Sequence, residues 1–169
     1  MIHIRLAEKK DVPSIWEVAE KTWPVSYKHV ISPGQIRYML DLMYNPEKIE
    51  AAINDPSQAF WLAEENGKVL GFCGIEHNYP ETGITRIHKL YILPETQGSG
   101  IGKTLVDHVA KEARKCGCTK LHLNVNKRNT AVGFYQKNGF LTDREEVLDI
   151  GNGYVMDDFV MVKELNGFL

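Results

Sequence analysis

Leu90-Tyr91-Ile92-Leu93-Pro94-Glu95-Thr96-Gln97-Gly98-Ser99-Gly100-Ile101-Gly102-Lys103 is the stretch whose reading decides the fold. An apolar segment ends at Pro94, the chain turns, and a helical pattern begins inside the glycines. Three glycines between positions 98 and 102 are more than a strand-to-helix turn needs. Backbone N–H groups at a helix N-terminus lack intrahelical partners and carry the positive end of the dipole, so such a loop suits a phosphate. Glycines let that backbone approach the anion and adopt positive φ.

Upstream, Ile84 to Leu93 reads as one long β segment. Before it, Ala59–Ala63 and Val69–Ile75 flank Asn66-Gly67, a hairpin turn signal. Further back, His3–Ala7 alternates as a first strand, and Asp11 with Pro13 opens a helix expected to end near Trp23-Pro24. Ile36, Met39, Leu40 and Met43 recur at helical spacing up to Asn45-Pro46, and a further helix covers Glu47 to Asn54. Downstream, Ile101, Leu105, Val109 and Ala113 share a helical face that stops at Cys116-Gly117. Leu121–Val125 alternates as a strand, Thr130 to Asn138 is a short helix, and strands over about 140–149 and 154–163 flank Gly151-Asn152-Gly153. This order predicts an α/β (α+β) domain with a mixed sheet and helices on its faces.

Gly98-Ser99-Gly100-Ile101-Gly102-Lys103-Thr104 nearly matches the nucleotide-binding pattern G-x-x-x-x-G-K-[ST], but position 97 is Gln where the first glycine belongs. The loop also follows hairpin-linked strands, and no apolar strand ending in Asp comes after the helix. A nucleoside triphosphate is therefore the wrong ligand.

The chain has 169 residues, 43% hydrophobic and 25% charged, as expected for one globular domain. A net charge of −2 with scattered Lys and Arg gives no footprint for nucleic acid. Apolar runs fall short of the roughly 18 residues that span a bilayer, and charges at Arg5, Glu8, Lys9, Lys10 and Asp11 interrupt any signal-peptide core. Cys73, Cys116 and Cys118 form no C-x-x-C, and no His or Cys cluster has metal-ligand spacing, so neither a metal nor a disulfide is expected. The expected location is the cytoplasm.

Gln97-Gly98-Ser99-Gly100-Ile101-Gly102 resembles the Gln/Arg-x-x-Gly-x-Gly/Ala motif of the GCN5-related N-acetyltransferases, directly after Leu90-Tyr91-Ile92. Asn129-Thr130-Ala131-Val132-Gly133-Phe134-Tyr135-Gln136-Lys137-Asn138-Gly139-Phe140 is similar to the second hallmark of that family. The resemblance covers essentially the whole chain. It implies one N-acetyltransferase domain over residues 1–169, with a mostly antiparallel central sheet flanked by helices. Within the family, the segment from Tyr27 to Ile53 and the ending Gly153–Met161 look like the PaiA-type spermidine/spermine acetyltransferases. One departure stands out: Asn129 lies six residues before Tyr135, where the family has seven. Asn129 and Tyr135 are candidate cofactor-binding residues, but that one-residue difference is about 100° of helix, which makes Asn129 equally a candidate helix cap that does not touch the cofactor.

The resemblance implies acetyl-CoA as acetyl donor and an amine as acceptor, either a small amine such as spermidine or spermine or a peptide. A non-catalytic acyl-CoA sensor is the rival from another class. Other than the amine, the expected partner is at most a second copy of the chain, with no nucleic acid or membrane. Leu90, Tyr91 and Ile92 would hold the pantetheine arm through their backbone, and one N–H would polarise the acetyl carbonyl. Gln97, Gly98, Ser99, Gly100, Ile101 and Gly102 would hold the pyrophosphate. Lys103 would add charge there or simply be a solvated helix residue.

Tyr135 would protonate the departing thiolate, a phenol near pKa 10 facing a thiol near 8.5. His88 is a candidate base, expected on the strand face of Leu90 and Ile92. Glu76 is its competitor, and a water chain with no single base is the third option. Trp23, Tyr27, Tyr38, Tyr44 and Tyr79 could line a cation-accepting groove or be ordinary core and surface aromatics. Asp149, Asp157 and Asp158 could attract a polyamine or merely solvate a hairpin.

Overall fold

The computed structural model describes residues 1–165. Seven strands form one sheet in the order β1-β2-β3-β4-β5-β7-β6. These are β1 His3–Leu6, β2 Gln58–Glu65, β3 Lys68–His77, β4 Ile84–Ile92, β5 Lys120–Asn126, β6 Leu141–Gly151 and β7 Tyr154–Glu164. The helices are α1 Val12–Ser26, α2 Pro33–Met43, α3 Pro46–Asn54, α4 Ile101–Lys115 and α5 Ala131–Lys137. Every neighbouring pair of strands is antiparallel except β4 and β5. The mixed, mostly antiparallel sheet expected from the sequence is the one found.

The two faces of the sheet bury different sets. On one face Trp61 packs against His108 of α4, and Trp61 lies opposite Cys73, which lies opposite Leu90. On the other face Phe72 lies opposite Tyr91, and both meet Tyr44 at the end of α2. Trp23 and Tyr27 of the α1 end stack at 4.5 Å beside them. The strand alternation of apolar residues thus feeds α4 on one side and α1 to α3 on the other.

Pro24 lies inside α1 instead of ending it. A proline removes one N–H, the one that would bond to Glu20. The next turn still closes, because the Tyr27 N–H reaches the Trp23 carbonyl at 3.0 Å. Nor does Asp11 cap α1 with its side chain. Its carboxylate instead takes two bonds from the Arg5 guanidinium at 2.9 Å each and one from the Glu8 N–H at 2.8 Å. Arg5 also reaches Glu64 on β2, so β1, β2 and the start of α1 are tied through one cation.

Hydrogen bonds from Arg5 hold the Asp11 carboxyl below the usual carboxylate range. A depressed value stabilises the fold above the unfolded-state pKa and loses that effect as pH falls through the folded one. Asp11→Ala should therefore cost about 2–4 kcal/mol at neutral pH, the scale of breaking a largely buried ion pair. The difference from wild type, measured by urea unfolding, should narrow as pH falls below about 4.

Candidate functional site

β4 and β5 are joined by only three parallel pairs, Ile84 with Lys120, Thr85 with Leu121 and Arg86 with His122. Beyond these the strands part. β4 also carries one extra residue: Gly74 faces Lys89 and Ile75 faces Ile87, which leaves His88 unopposed. Such a bulge bends a strand and re-aims a side chain. A cleft of about 440 Å³ opens in the gap. Its walls include Leu90 to Ile92, Leu123 to Val125, Tyr27, the glycine loop, and Phe134 with Tyr135.

The glycine loop forms one rim. Gln97 Nε2 donates to the Ile92 carbonyl at 3.1 Å and ties the loop to the end of β4. Ser99 Oγ donates to the Thr96 carbonyl inside the turn. Gly98 and Gly100 adopt φ of +88° and +86°, and a Cβ on either would meet no protein atom within 4 Å. Gly100 is the N-cap of α4 and offers no side-chain cap, so the N–H groups of Ile101, Gly102 and Lys103 lack protein partners of the usual kind. Open space and uncapped donors fit a pyrophosphate. Gly102 does something else: a Cβ there would lie 3.1 Å from the Phe134 ring, so this glycine lets α5 pack against α4. Lys103 lines the cleft, but its Nζ pairs with Asp107 at 2.7 Å, one turn along the helix.

Tyr135 is buried, with its ring against Phe134 and Phe140. Burial raises the phenol above its ordinary value, so it stays protonated. Thr130 is the N-cap of the short helix, while Asn129, one residue earlier, accepts from the first helical N–H, that of Ala131, at 2.8 Å and also lines the cleft. The Tyr91 ring is buried with Tyr44 and Trp23, which leaves its backbone for the cleft.

His88 is not on the face of Leu90 and Ile92. The extra residue turns it to the opposite face, where Nε2 meets Glu76 Oε1 at 2.9 Å. The two candidate bases are therefore partners rather than competitors. Nε2 donating to the carboxylate leaves Nδ1 as the proton acceptor, a tautomer assigned from the partner. Burial lowers the His88 pKa, with Lys89 and Arg86 acting the same way, while the Glu76 bond raises it. The imidazole is thus neutral near pH 7.

The aromatic set divides as well. Trp23, Tyr27 and Tyr44 are buried, Tyr38 donates to the Ile150 carbonyl, and Tyr79 lies beside His88. The cation found over an aromatic ring here belongs to the protein: Lys89 Nζ sits 5.2 Å from the Tyr44 centroid. Sequence reading missed Thr22, Ser26 and Asn124 as cleft residues. Asn124 gave no signal of its own, because it falls at a polar position of the alternating β5.

Residues 13–140 match the acetyltransferase (GNAT) family model. The chain belongs to the GNAT family. It is 27% identical over 161 residues to a spermidine N(1)-acetyltransferase of Thermoplasma acidophilum, covering 92% of this chain and 96% of that protein. It is 35% identical over 102 residues to the Escherichia coli peptidyl-lysine N-acetyltransferase YjaB, covering 59% of this chain and 61% of that protein. The crystal structure of the PaiA N-acetyltransferase from Thermoplasma acidophilum in complex with coenzyme A superposes with a TM-score of 0.83 at 27% identity, over 97% of this chain and 99% of that one. The GNAT member described here is an N-acetyltransferase that uses acetyl-CoA as donor.

Coenzyme A should raise Tm while MgATP does not, because only a ligand of the native state stabilises it. Gly100→Val would force a β-branched residue to positive φ and fill the space above the loop. Calorimetric titration should show coenzyme A binding weakened by about tenfold or more, a loss of roughly 1.4 kcal/mol, in a protein with unchanged circular dichroism.

Proposed function

We propose that this enzyme acetylates a primary amine of a polyamine such as spermidine or spermine. In this reading, His88 and Glu76 take up the proton of the amine and Tyr135 protonates the departing thiolate. The observation that carries the chemistry is the His88–Glu76 contact at 2.9 Å, with His88 opening on the same cleft as Tyr135. Acetyl-CoA supplies an acetyl thioester. The backbone of Leu90 to Ile92 is read as holding its arm, and the N–H groups of Gly98 to Lys103 as holding its phosphates. An aliphatic amine is mostly protonated at neutral pH, so a base in its unprotonated form must take the proton before nitrogen can attack. His88, kept neutral by burial, meets that need. Tyr135, kept protonated by burial, meets the opposite one. Residues 1–169 are taken as one catalytic domain.

The polyamine acceptor is supported by the Thermoplasma spermidine acetyltransferase, which aligns over nearly the whole chain. A peptide lysine is the second reading, favoured by the higher identity to YjaB over a shorter span. Thiol release with an acceptor panel separates them: spermidine or spermine should exceed a lysine peptide in kcat/KM at matched salt. Faster turnover of the peptide would reverse the order.

Tyr135→Phe should bind acetyl-CoA normally and lose about 10²-fold in kcat, the low end for general acid–base catalysis. The kcat/KM profile should rise with pH on a limb whose apparent pKa lies below the ordinary imidazole value of about 6.5. His88→Ala should remove that limb. Glu76→Gln removes a bond that raises the His88 pKa, so it should move the limb to lower pH. Loss of the limb in Glu76→Gln with its retention in His88→Ala would give the role of base to Glu76.

A further inference from the structure

Asp158 on β7 is the one carboxyl of the β6–β7 hairpin region that the fold buries, at 4% exposure. Its neighbour Asp157 is exposed and paired with Lys127 at 3.0 Å, and Asp149 uses its Oδ1 on the Gly151 N–H. Asp158 makes no ion pair among the described residues. Its Oδ2 accepts from Asn124 Nδ2 at 3.3 Å, while its Oδ1 is buried with no partner. The Asn124 amide also donates to Glu146 Oε1 at 3.1 Å. Two carboxylate partners for one NH2 fix the orientation of the amide, so Asn124 Oδ1 must be an acceptor, and it too is buried and unpartnered. Leaving such atoms unpaired is costly, and native structures rarely do so without a reason.

These groups share one face and one place. Asp158 lies opposite Asn126 and Glu146, on the face that carries Asn124. Asn124 lines the cleft, as does Tyr27, and Asp158 reaches it through its hydrogen bond from Asn124. Arg86 is turned to His122 Nδ1 at 3.1 Å and pairs with neither carboxylate within 4 Å, and Arg144 reaches Glu146 Oε2 at 3.6 Å but leaves Asp158 without a cation. What is missing is therefore a positively charged donor with several N–H bonds, and Asn124 is the member of the group that meets the cleft, with Asp158 behind it.

We infer that Asp158 and Asn124, with Glu146 behind them, form the anchor for an alkylammonium group of the acceptor. The anchored nitrogen is the one that does not react, because a carboxylate partner keeps an amine protonated and the attacking amine must be neutral. The acceptor then carries two amines, one held at Asp158 and the other free to meet His88. This inference rests on the acetylation reading above and adds the residues that select a diamine or polyamine over a monoamine. Burial already holds the Asp158 carboxyl above the usual range, the state expected of an anionic site lacking its cation.

The test compares wild type with Asp158→Asn for spermidine, butane-1,4-diamine and butan-1-amine, by thiol release and by calorimetric titration of spermidine onto the coenzyme A complex. In the variant, KM for spermidine and the diamine should rise about tenfold or more, the scale of a charge-assisted hydrogen bond. KM for the monoamine and affinity for coenzyme A should stay put. Tm should be equal or higher, since the variant removes a buried unpaired charge, whereas a purely structural carboxyl would lower it. Should Asp158→Asn fail to fold, Asn124→Ala should give a smaller shift in the same direction. Spermidine acetylated with the same KM by both proteins would overturn the anchor and leave the acetylation reading intact. Spermidine that binds with Asp158-dependent affinity but is not acetylated would sink the polyamine-acceptor reading and keep the anchor. An equal rise in KM for all three amines would also overturn it.

Discussion

The parting of β4 and β5 after three rungs is the constraint on which the site depends. A parallel pair needs slanted, evenly spaced bonds, and once the strands diverge their facing N–H and C=O groups have no sheet partner. Groups left in that state must be satisfied by something else, here whatever fills the cleft. His88, the extra residue in β4, bends the strand at the parting and supplies a titratable group at the same point. One backbone irregularity thus opens the gap, exposes backbone donors and turns an imidazole toward Glu76. α4 and α5 close the gap from below, where Gly102 lets the Phe134 ring approach to the distance of a methyl contact.

Electrostatics follow from that opening. The glycine loop offers positive charge through backbone dipoles and uncapped N–H groups, without a guanidinium. Its cationic neighbour Lys103 is paired with Asp107, an exposed pair worth only a few tenths of a kcal/mol. Lys89 is the more unusual cation. Burial lowers its pKa to about 8, and its ammonium lies over Tyr44 and Phe60 without an ion pair among the described residues. A charge next in sequence to His88 adds to burial in keeping the imidazole neutral.

How much of this was legible depends on whether a feature is local. Pro94 and the glycines fix the end of β4 and the start of α4 by backbone conformation alone, so both could be read from the sequence. The hairpin turn at Asn66-Gly67 was legible for the same reason. The bulge was not, because it is defined by which residue of β3 lies opposite, and alternation within β4 put His88 on the wrong face. Asp11 reads as a helix cap because Asp is good at capping. Arg5, close in sequence but placed by β1, claims the carboxylate instead. Asp157 and Asp158 are indistinguishable as sequence. Alternation says that one points in and one out, and only the register against Asn126 and Glu146 says which.

The two faces of the sheet carry different chemistry, and the parting is where they meet. The glycine loop and α4 belong to the face of Cys73 and Leu90, while Glu76, Arg86, Asn124 and Asp158 belong to the other, under α1 and α2. An intact sheet would keep a donor on one face from an acceptor on the other, since its backbone rungs leave no opening between them. A gap between two parallel strands removes that barrier over a few residues only, which is where the proposed reaction would bring donor and acceptor together. The same geometry goes with the polar side chains of β5 and β7 on this face, half-buried at Asn124 and buried at Asp158. Their neighbours Leu123 and Met161 lie opposite each other and pack the core, while Asn124 on the other face meets the cleft. α2 covers that face: Gln35 Nε2 donates to the Val155 carbonyl at 3.0 Å and Tyr38 holds the hairpin at Ile150. The helices between β1 and β2 therefore act as a roof, and α2 fixes it to the β6–β7 hairpin.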